Sequence, residues 1–375
     1  MKTLSVVGTR PNFVKISPIV NELRRVGGVT HVLIHSGQHY DEGLSSRFFR
    51  DLSIPEPAAN LEVGAGTHAW QTAEIMKRLE PVLLEHKPDL VVVVGDVNST
   101  LAGALTAAKL GFRIAHVEAG LRSFDVSMPE EINRKLTDAL ADVLLVSEES
   151  GVQNLRHEGV PEERIFLVGN VMVDTLLEHL HRARNSRILA RLHLLDGNGK
   201  PVDFAVVTLH RPGNVDSSEA LGKIAGALDE LARELPVVFP VHPRTRRHLA
   251  QWGIAEHTQG RGLILLEPLG YLEFVGLMAP ARLVLTDSGG VQEETTALGV
   301  PCLTLRENTE RPATVTHGTN QVTGAEPGRW LPAARQILKG NYTKGPGVPL
   351  WDGRASKRIV EILMSLPPGS RTAAA

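Results

Sequence analysis

The sequence has a single cysteine, Cys302, in 375 residues. One thiol excludes an intramolecular disulfide and cannot build a cysteine zinc site alone. Within V-P-C-L-T-L it reads as a core residue. Charge of either sign is not in excess: the formal net charge is −2, so nothing draws the chain as a whole to nucleic acid or anionic membranes. No apolar run approaches the roughly 18 residues of a membrane helix. The start, M-K-T-L-S-V-V-G-T-R, turns polar too soon for a signal peptide, so a cytoplasmic protein is expected. The dinucleotide fingerprint G-x-G-x-x-G does not follow any strand, so no nicotinamide cofactor is expected. Neither H-E-x-x-H nor D-x-D occurs, so no metal is expected. No G-x-S-x-G or cysteine–histidine signature points to a covalent nucleophile.

What is present is a rhythm. At 375 residues two domains are the prior. Short apolar runs such as Leu4–Val7, Leu90–Val94 and Ile114–Val117 alternate with segments of helical periodicity. Strands alternating with helices imply parallel sheets, and continuous Val/Leu/Ile runs fit strands buried on both faces. The rhythm restarts after Gly169-Asn170, with a long helix expected over about 171–192 and further strands from Phe204 to Leu305. Two doubly wound α/β domains with a cleft between them follow, 1–170 and 171–353. The Gly/Pro-rich stretch Asn341–Gly353 reads as a loop. A last helix, about 354–366, could cross back onto the first domain, and the tail P-P-G-S-R-T-A-A-A is expected to be disordered. Ser99 or Thr100 can cap the helix after Asp96, and Ser147 the helix reaching about Glu158.

Ligands of open α/β sheets bind beyond the carboxyl ends of the strands, and chemistry-bearing residues collect there. In H-V-E-A-G-L-R-S-F-D-V-S-M-P-E-E-I-N-R, Glu118 closes a strand, and Glu130 and Glu131 open the next helix behind Pro129. Neighbouring carboxylates can be driven apart in pKa and serve as an acid/base pair. Glu130 and Glu131 also suit a helix N-terminus for dipole reasons alone. Asp96 ends V-V-V-V-G-D. In G-T-R-P-N-F-V-K, Arg10 and Lys15 stand near a helix N-terminus, as phosphate ligands or as a surface cap. In T-D-S-G-G-V-Q-E-E, Ser288, Gly289 and Gly290 lie between a strand and a helix, where backbone N–H groups can hold a pyrophosphate, and Glu294 could reach ribose hydroxyls. His210 in T-L-H-R and His242 in P-V-H-P-R can donate to phosphate or serve as polar loop residues.

These motifs, in this order, resemble the non-hydrolysing UDP-N-acetylglucosamine 2-epimerases over nearly the whole chain. The resemblance rests on G-T-R-P, G-Q-H at Gly37–His39, G-D at Gly95–Asp96, H-V-E-A-G-L-R, P-E-E-I-N-R, T-L-H-R, T-D-S-G-G-V-Q-E-E and T-E-R-P at Thr309–Pro312. It implies two Rossmann-like domains in the GT-B arrangement, a homodimer, and UDP held mainly by the second domain. It also implies interconversion of UDP-GlcNAc and UDP-ManNAc for cell-surface polysaccharide synthesis. By the same resemblance Asp96, Glu118 and Glu130 match acid/base carboxylates, and Arg10, Lys15 and His210 match phosphate or substrate contacts. Phe274 falls where uracil packs, Ser288, Gly289 and Gly290 match the pyrophosphate loop, Glu294 a ribose contact and Arg311 a further substrate contact. The chain departs at Asn12 and Gly213, where the family often has Glu, in a shorter connection from Arg122 to Pro129, and in the segment Tyr40–Phe49.

The hydrogen on sugar carbon 2 is not acidified by a carbonyl, and direct oxidation of a ring hydroxyl needs a nicotinamide. The remaining route is loss of UDP, removal of the carbon 2 proton to give 2-acetamidoglucal, and re-addition. Alternatives from other classes are a metal-independent glycosyltransferase, a hydrolysing epimerase and a non-catalytic UDP-sugar sensor.

Overall fold

The computed structural model describes residues 1–37, 51–254 and 262–367. The side chain of Arg10, residues Gln38 and His39, the segment Tyr40–Phe49 and the tail beyond Pro367 lie outside the described residues. The chain divides into two compact units, Met1–Glu178 with Pro349–Ala375, and His179–Val348.

Among the described residues the first unit carries seven strands: β1 (Lys2–Val7), β2 (Thr30–His35), β3 (Ala59–Asn60), β4 (Leu90–Val94), β5 (Arg113–Ala119), β6 (Val143–Val146) and β7 (Ile165–Leu167). Their order is β3-β2-β1-β4-β5-β6-β7, and every pairing is parallel. The second carries β8 (Ala205–Thr208), β9 (Val237–Pro240), β10 (Leu263–Leu266), β11 (Leu283–Thr286), β12 (Cys302–Thr304) and β13 (Asn320–Val322), in the order β10-β9-β8-β11-β12-β13, again all parallel. The expected class, two doubly wound Rossmann-like α/β units, is what the chain forms. The reason is in the strands: Leu90–Val94 is five aliphatic residues, all buried, as a strand covered by helices on both faces requires. Each such side chain contributes about 1.5–3 kcal/mol on burial.

Each sheet reverses direction once. In the first unit the chain runs outward from β1 one way and from β4 the other; in the second the same happens at β8 and β11. The loops after these four strands flank the two switch points, where doubly wound sheets open a crevice. Those loops carry Gly8–Asn12, Gly95–Asp96, Leu209–Arg211 and Asp287–Ser288.

Local expectations are corrected in three places. The helix expected over 171–192 is two, Val171–Arg184 and Ile188–Arg191, because Asn185 and Ser186 form a turn in which the Ser186 N–H donates to the Ala183 carbonyl. Thr100 is not a cap: Val97 is, and the Thr100 hydroxyl donates back to the Val94 carbonyl, 2.7 Å. Glu148, not Ser147, precedes the helix Glu149–His157. The last helix, Ala355–Ser365, belongs to the first unit, where the Ala355 and Ser356 N–H groups donate to Asp174.

Candidate active site

In the first unit the helix Arg10–Val26 follows β1 and carries Lys15 inward, only 6% exposed. Its Nζ lies 2.5 Å from a carboxylate oxygen of Glu118. Gly95 makes room for this: a Cβ there would stand 3.1 Å from Lys15 Nζ, and its φ of 71° is one that side chains rarely adopt. Asn12 completes the turn, accepting from the Gly8 and Thr9 N–H groups and donating to the Val94 carbonyl at 2.8 Å. A glutamate could not make that last bond, so the departure from the family at Asn12 has a structural role.

Glu118 does not simply close its strand. β5 runs on to Ala119, and its register against β6 slips between Val117 and Ala119. Glu118 is the extra residue of this bulge, with φ 74° in the left-handed region. A non-glycine residue there costs about 1–3 kcal/mol and persists only where the surroundings enforce it. The bulge turns a 7% exposed carboxylate toward Lys15. Gly120 follows at φ 81°, where a Cβ would meet the Gly151 carbonyl oxygen.

The helix Pro129–Leu140 organises the other acids. Arg134 donates to Asp96 Oδ2 at 2.6 and 3.1 Å and to Glu131 at 2.7 Å. Asn133 donates to the Asp96 carbonyl at 2.9 Å. Glu131 is 1% exposed and accepts from the Ser123 N–H and hydroxyl and the Phe124 N–H. Burial works against its charge, but Ser123 and Arg134 outweigh that and hold the carboxyl below its ordinary value. Glu131 therefore shapes the loop, whereas Glu130, one residue earlier, is half-buried. The pair that the sequence left open divides into one structural and one accessible acid.

The second unit inverts the charges. Asp287 is fully buried and accepts from the backbone N–H groups of His210 and Arg211 and from Asn214 Nδ2, at 2.9–3.0 Å to Oδ2. Its Oδ1 lies 3.0 Å from His210 Nδ1. Burial raises the carboxyl, and His210 with its other donors more than offsets this, so Asp287 stays below its ordinary pKa. Nδ1–H of His210 thus points at Asp287, and Nε2 is left for solvent or ligand on a side chain 39% exposed. The His242 ring centroid is 6.0 Å from that of His210. Ser288 precedes the helix Gly289–Leu298, so the N–H groups of its first turn are available to an anion.

Glu294 lies in the second turn of that helix, buried against the Tyr271 hydroxyl. Burial pushes its carboxyl up to about 8, with the Tyr271 bond opposing and Glu293 adding. Arg311 is 3% exposed, its Nε 2.8 Å from Glu293. Phe274 is half-buried on the helix Tyr271–Met278, packed against the core that includes Val206 and Val284.

In the first unit the structure pairs Lys15 with Glu118 and ties Asp96 to Asn133 and Arg134, on the helix whose first turn holds Glu130. In the second, Asp287 joins His210 to Ser288, which opens the helix of Gly289, Gly290 and Glu294, and Arg311 pairs with Glu293 of that helix. Sequence reading counts Arg134 among the charges of this stretch without giving it a role, and passes over Asn133 and Asp287. Asp287 had a signal, an acid directly after an apolar strand; Arg134 had only its place in P-E-E-I-N-R.

Comparison with known proteins identifies the family. Residues 21–364 match the UDP-N-acetylglucosamine 2-epimerase family. A UDP-N-acetylglucosamine 2-epimerase of Methanocaldococcus jannaschii is 43% identical over 369 residues, spanning 97% of this chain and 99% of its own. A Pseudomonas aeruginosa UDP-2,3-diacetamido-2,3-dideoxy-D-glucuronate 2-epimerase is 41% identical over 369 residues, spanning 98% of this chain and all of its own. The crystal structure of the M. jannaschii enzyme in complex with UDP-GlcNAc and UDP superposes with a TM-score of 0.88 at 42% identity, covering 97% of this chain and 99% of that one. With matches of that length carrying the same fold, this chain belongs to the UDP-N-acetylglucosamine 2-epimerase family and is an enzyme.

Proposed function

We propose that the protein interconverts UDP-GlcNAc and UDP-ManNAc by eliminating UDP and adding it back, supplying an N-acetylmannosamine donor for cell-surface polysaccharide. The observation that carries the reading is Glu118, a buried carboxylate held in a left-handed bulge beside Lys15. Backbone strain of this kind collects at functional sites.

The bond between the anomeric carbon and the diphosphate oxygen breaks, and the electron pair leaves with UDP. Oxocarbenium character at carbon 1 acidifies the proton on carbon 2. A carboxylate takes that proton, and 2-acetamidoglucal forms. UDP then adds back to carbon 1 while a second acid protonates carbon 2 on the other face. Asp96, Glu118 and Glu130 are the acid/base groups in this reading. Arg10, Lys15, His210 and the loop Ser288–Gly290 stabilise the departing diphosphate. Phe274 packs the uracil, Glu294 takes the ribose, and Arg311 adds a substrate contact. His210 is oriented for its task by Asp287, with Nε2 as the working nitrogen.

A homodimer belongs to the same proposal. The helix Pro129–Leu140 exposes Ile132 and Leu136, one turn apart, at 51% and 48%, an apolar stripe that a second copy could cover. Light scattering on the purified protein tests it.

A second sugar is named for the P. aeruginosa relative, which is 41% identical, as is a UDP-N-acetylglucosamine 2-epimerase of Methanococcus maripaludis. Both sugars bear an acetamido group at carbon 2 and UDP at carbon 1, so the same elimination serves either. The test is incubation with each UDP-sugar alone, followed by product identification. UDP-ManNAc from UDP-GlcNAc supports the reading. Free ManNAc plus UDP would make the protein a hydrolysing enzyme, and turnover only on the diacetamido-glucuronate would move the substrate.

A further inference from the structure

His116 lies in the middle of β5 and is fully buried. Its Nε2 is 2.8 Å from the Gly95 carbonyl oxygen and its Nδ1 is 2.6 Å from Asp138 Oδ1. A carbonyl only accepts, so Nε2 carries a proton. Asp138 Oδ2 accepts from the Gly120 N–H at 3.0 Å and faces Arg122 at 2.7 Å. Arg122 also pairs with Glu158, 2.7 Å. Burial penalises the Asp138 charge, yet His116 and Arg122 outweigh it and keep the carboxyl below its ordinary value. The ring therefore bridges Asp138 and the Gly95 carbonyl.

The placement of these bonds along β5 is what gives them a function. His116 stands two residues before Glu118 and Gly120 two residues after. Both are tied to the two oxygens of one carboxylate, Asp138, on the helix that also carries Glu130, Asn133 and Arg134. The strained bulge is spanned by this clamp. The other edge of the ring holds the Gly95 carbonyl, part of the peptide that leads into Asp96.

We propose that His116 and Asp138 are positioning residues for the reaction: the histidine and its carboxylate partner clamp β5 on either side of Glu118, force the left-handed bulge, and fix the Gly95–Asp96 turn in the same step. Neither touches substrate. The inference rests on the reading of Glu118 and Asp96 as acid/base groups, but the clamp's hydrogen bonds are measurable without it.

The first test is nitrogen-15 NMR of the histidine rings in the wild-type protein at one pH. The His116 ring N–H is expected to be held in a hydrogen bond and protected from exchange with solvent, because its nitrogens face the Gly95 carbonyl and Asp138. A His116 ring N–H that exchanges freely overturns the clamp. The second test is His116→Gln, which can still donate to a carbonyl but lacks the second ring nitrogen. Turnover is expected to fall about 10- to 100-fold, as when the partner that orients a reacting group is lost, while the UDP dissociation constant changes less than twofold. Equal loss of UDP affinity and turnover would mark a merely structural histidine, and unchanged turnover would remove the clamp from the mechanism. Should this variant fail to fold, Asp138→Asn, which keeps an acceptor for the Gly120 N–H, gives the same split. An absence of epimerase activity in the wild type would defeat the functional reading and leave the NMR result standing.

Discussion

The two switch points use opposite charge logic. At the first, buried cations hold acids: Lys15 beside Glu118, Arg134 beside Asp96 and the structural Glu131. At the second, a buried acid stands behind, and a histidine and helix N–H groups face outward: Asp287 behind His210, with Ser288 and Gly289 opening a helix. In the proposed reading one sheet end gives and takes protons and the other holds an anion. The same fold does both because the identity of a few loop residues, not the sheet, sets the sign of the field.

Breaking this contrast at Glu118 has the largest expected effect. Glu118→Gln keeps the shape and removes the base, so turnover should fall about 10²–10⁴-fold with UDP affinity nearly unchanged by calorimetry. Parallel loss of both would make Glu118 a scaffold residue. Lys15→Met comes next. It leaves a carboxylate buried beside an apolar chain, a change that costs roughly 3–5 kcal/mol, and urea unfolding should show it. A loss under about 1 kcal/mol would mean that the pair is solvated in solution.

On the other side, His210→Ala should lower turnover about 10²–10³-fold, the usual cost of losing one donor to developing negative charge. Asp287→Asn should cost less, about 10- to 100-fold, since His210 stays but its orientation loosens. An Asp287→Asn enzyme slower than His210→Ala would show that Asp287 acts through the loop rather than through the imidazole.

The last contrast concerns stability rather than rate. Glu294 has its carboxyl raised to about 8 by burial. The unfolded chain releases this proton near pH 4.5, the folded chain only near 8, so the folded state binds more protons between these values. Stability from this group is full below about pH 4.5 and declines as pH rises to about 8. Glu294→Gln should flatten that decline in thermal unfolding scans from pH 5 to 8, and an unchanged slope would place the titration elsewhere.

Much of the fold was legible in the sequence, for a physical reason. Runs such as Leu90–Val94 announce strands buried on both faces, and strand-end polar residues then fall where ligands bind. Shorter elements carried no such signal: β3 is two residues and β13 three, below any readable period. The candidate acids were visible as types at strand ends, but what holds them was not. Gly120, two residues past the bulge, donates to Asp138, eighteen residues away and on another element. The separation of Glu130 from Glu131 depends on Arg134 and the Ser123 loop. Such roles are set by tertiary contacts, which no local pattern encodes.

The measurement that tests the central claim most directly follows the hydrogen on sugar carbon 2. In heavy water, without added nicotinamide or metal, the enzyme is given UDP-GlcNAc and both sugars are read by mass and NMR. If carboxylates of the first unit take and return that proton, it exchanges with solvent, and the epimerised product carries one deuterium at carbon 2. Epimerised product that keeps its original hydrogen would contradict the elimination mechanism, and with it the role of Glu118 as an acid/base group.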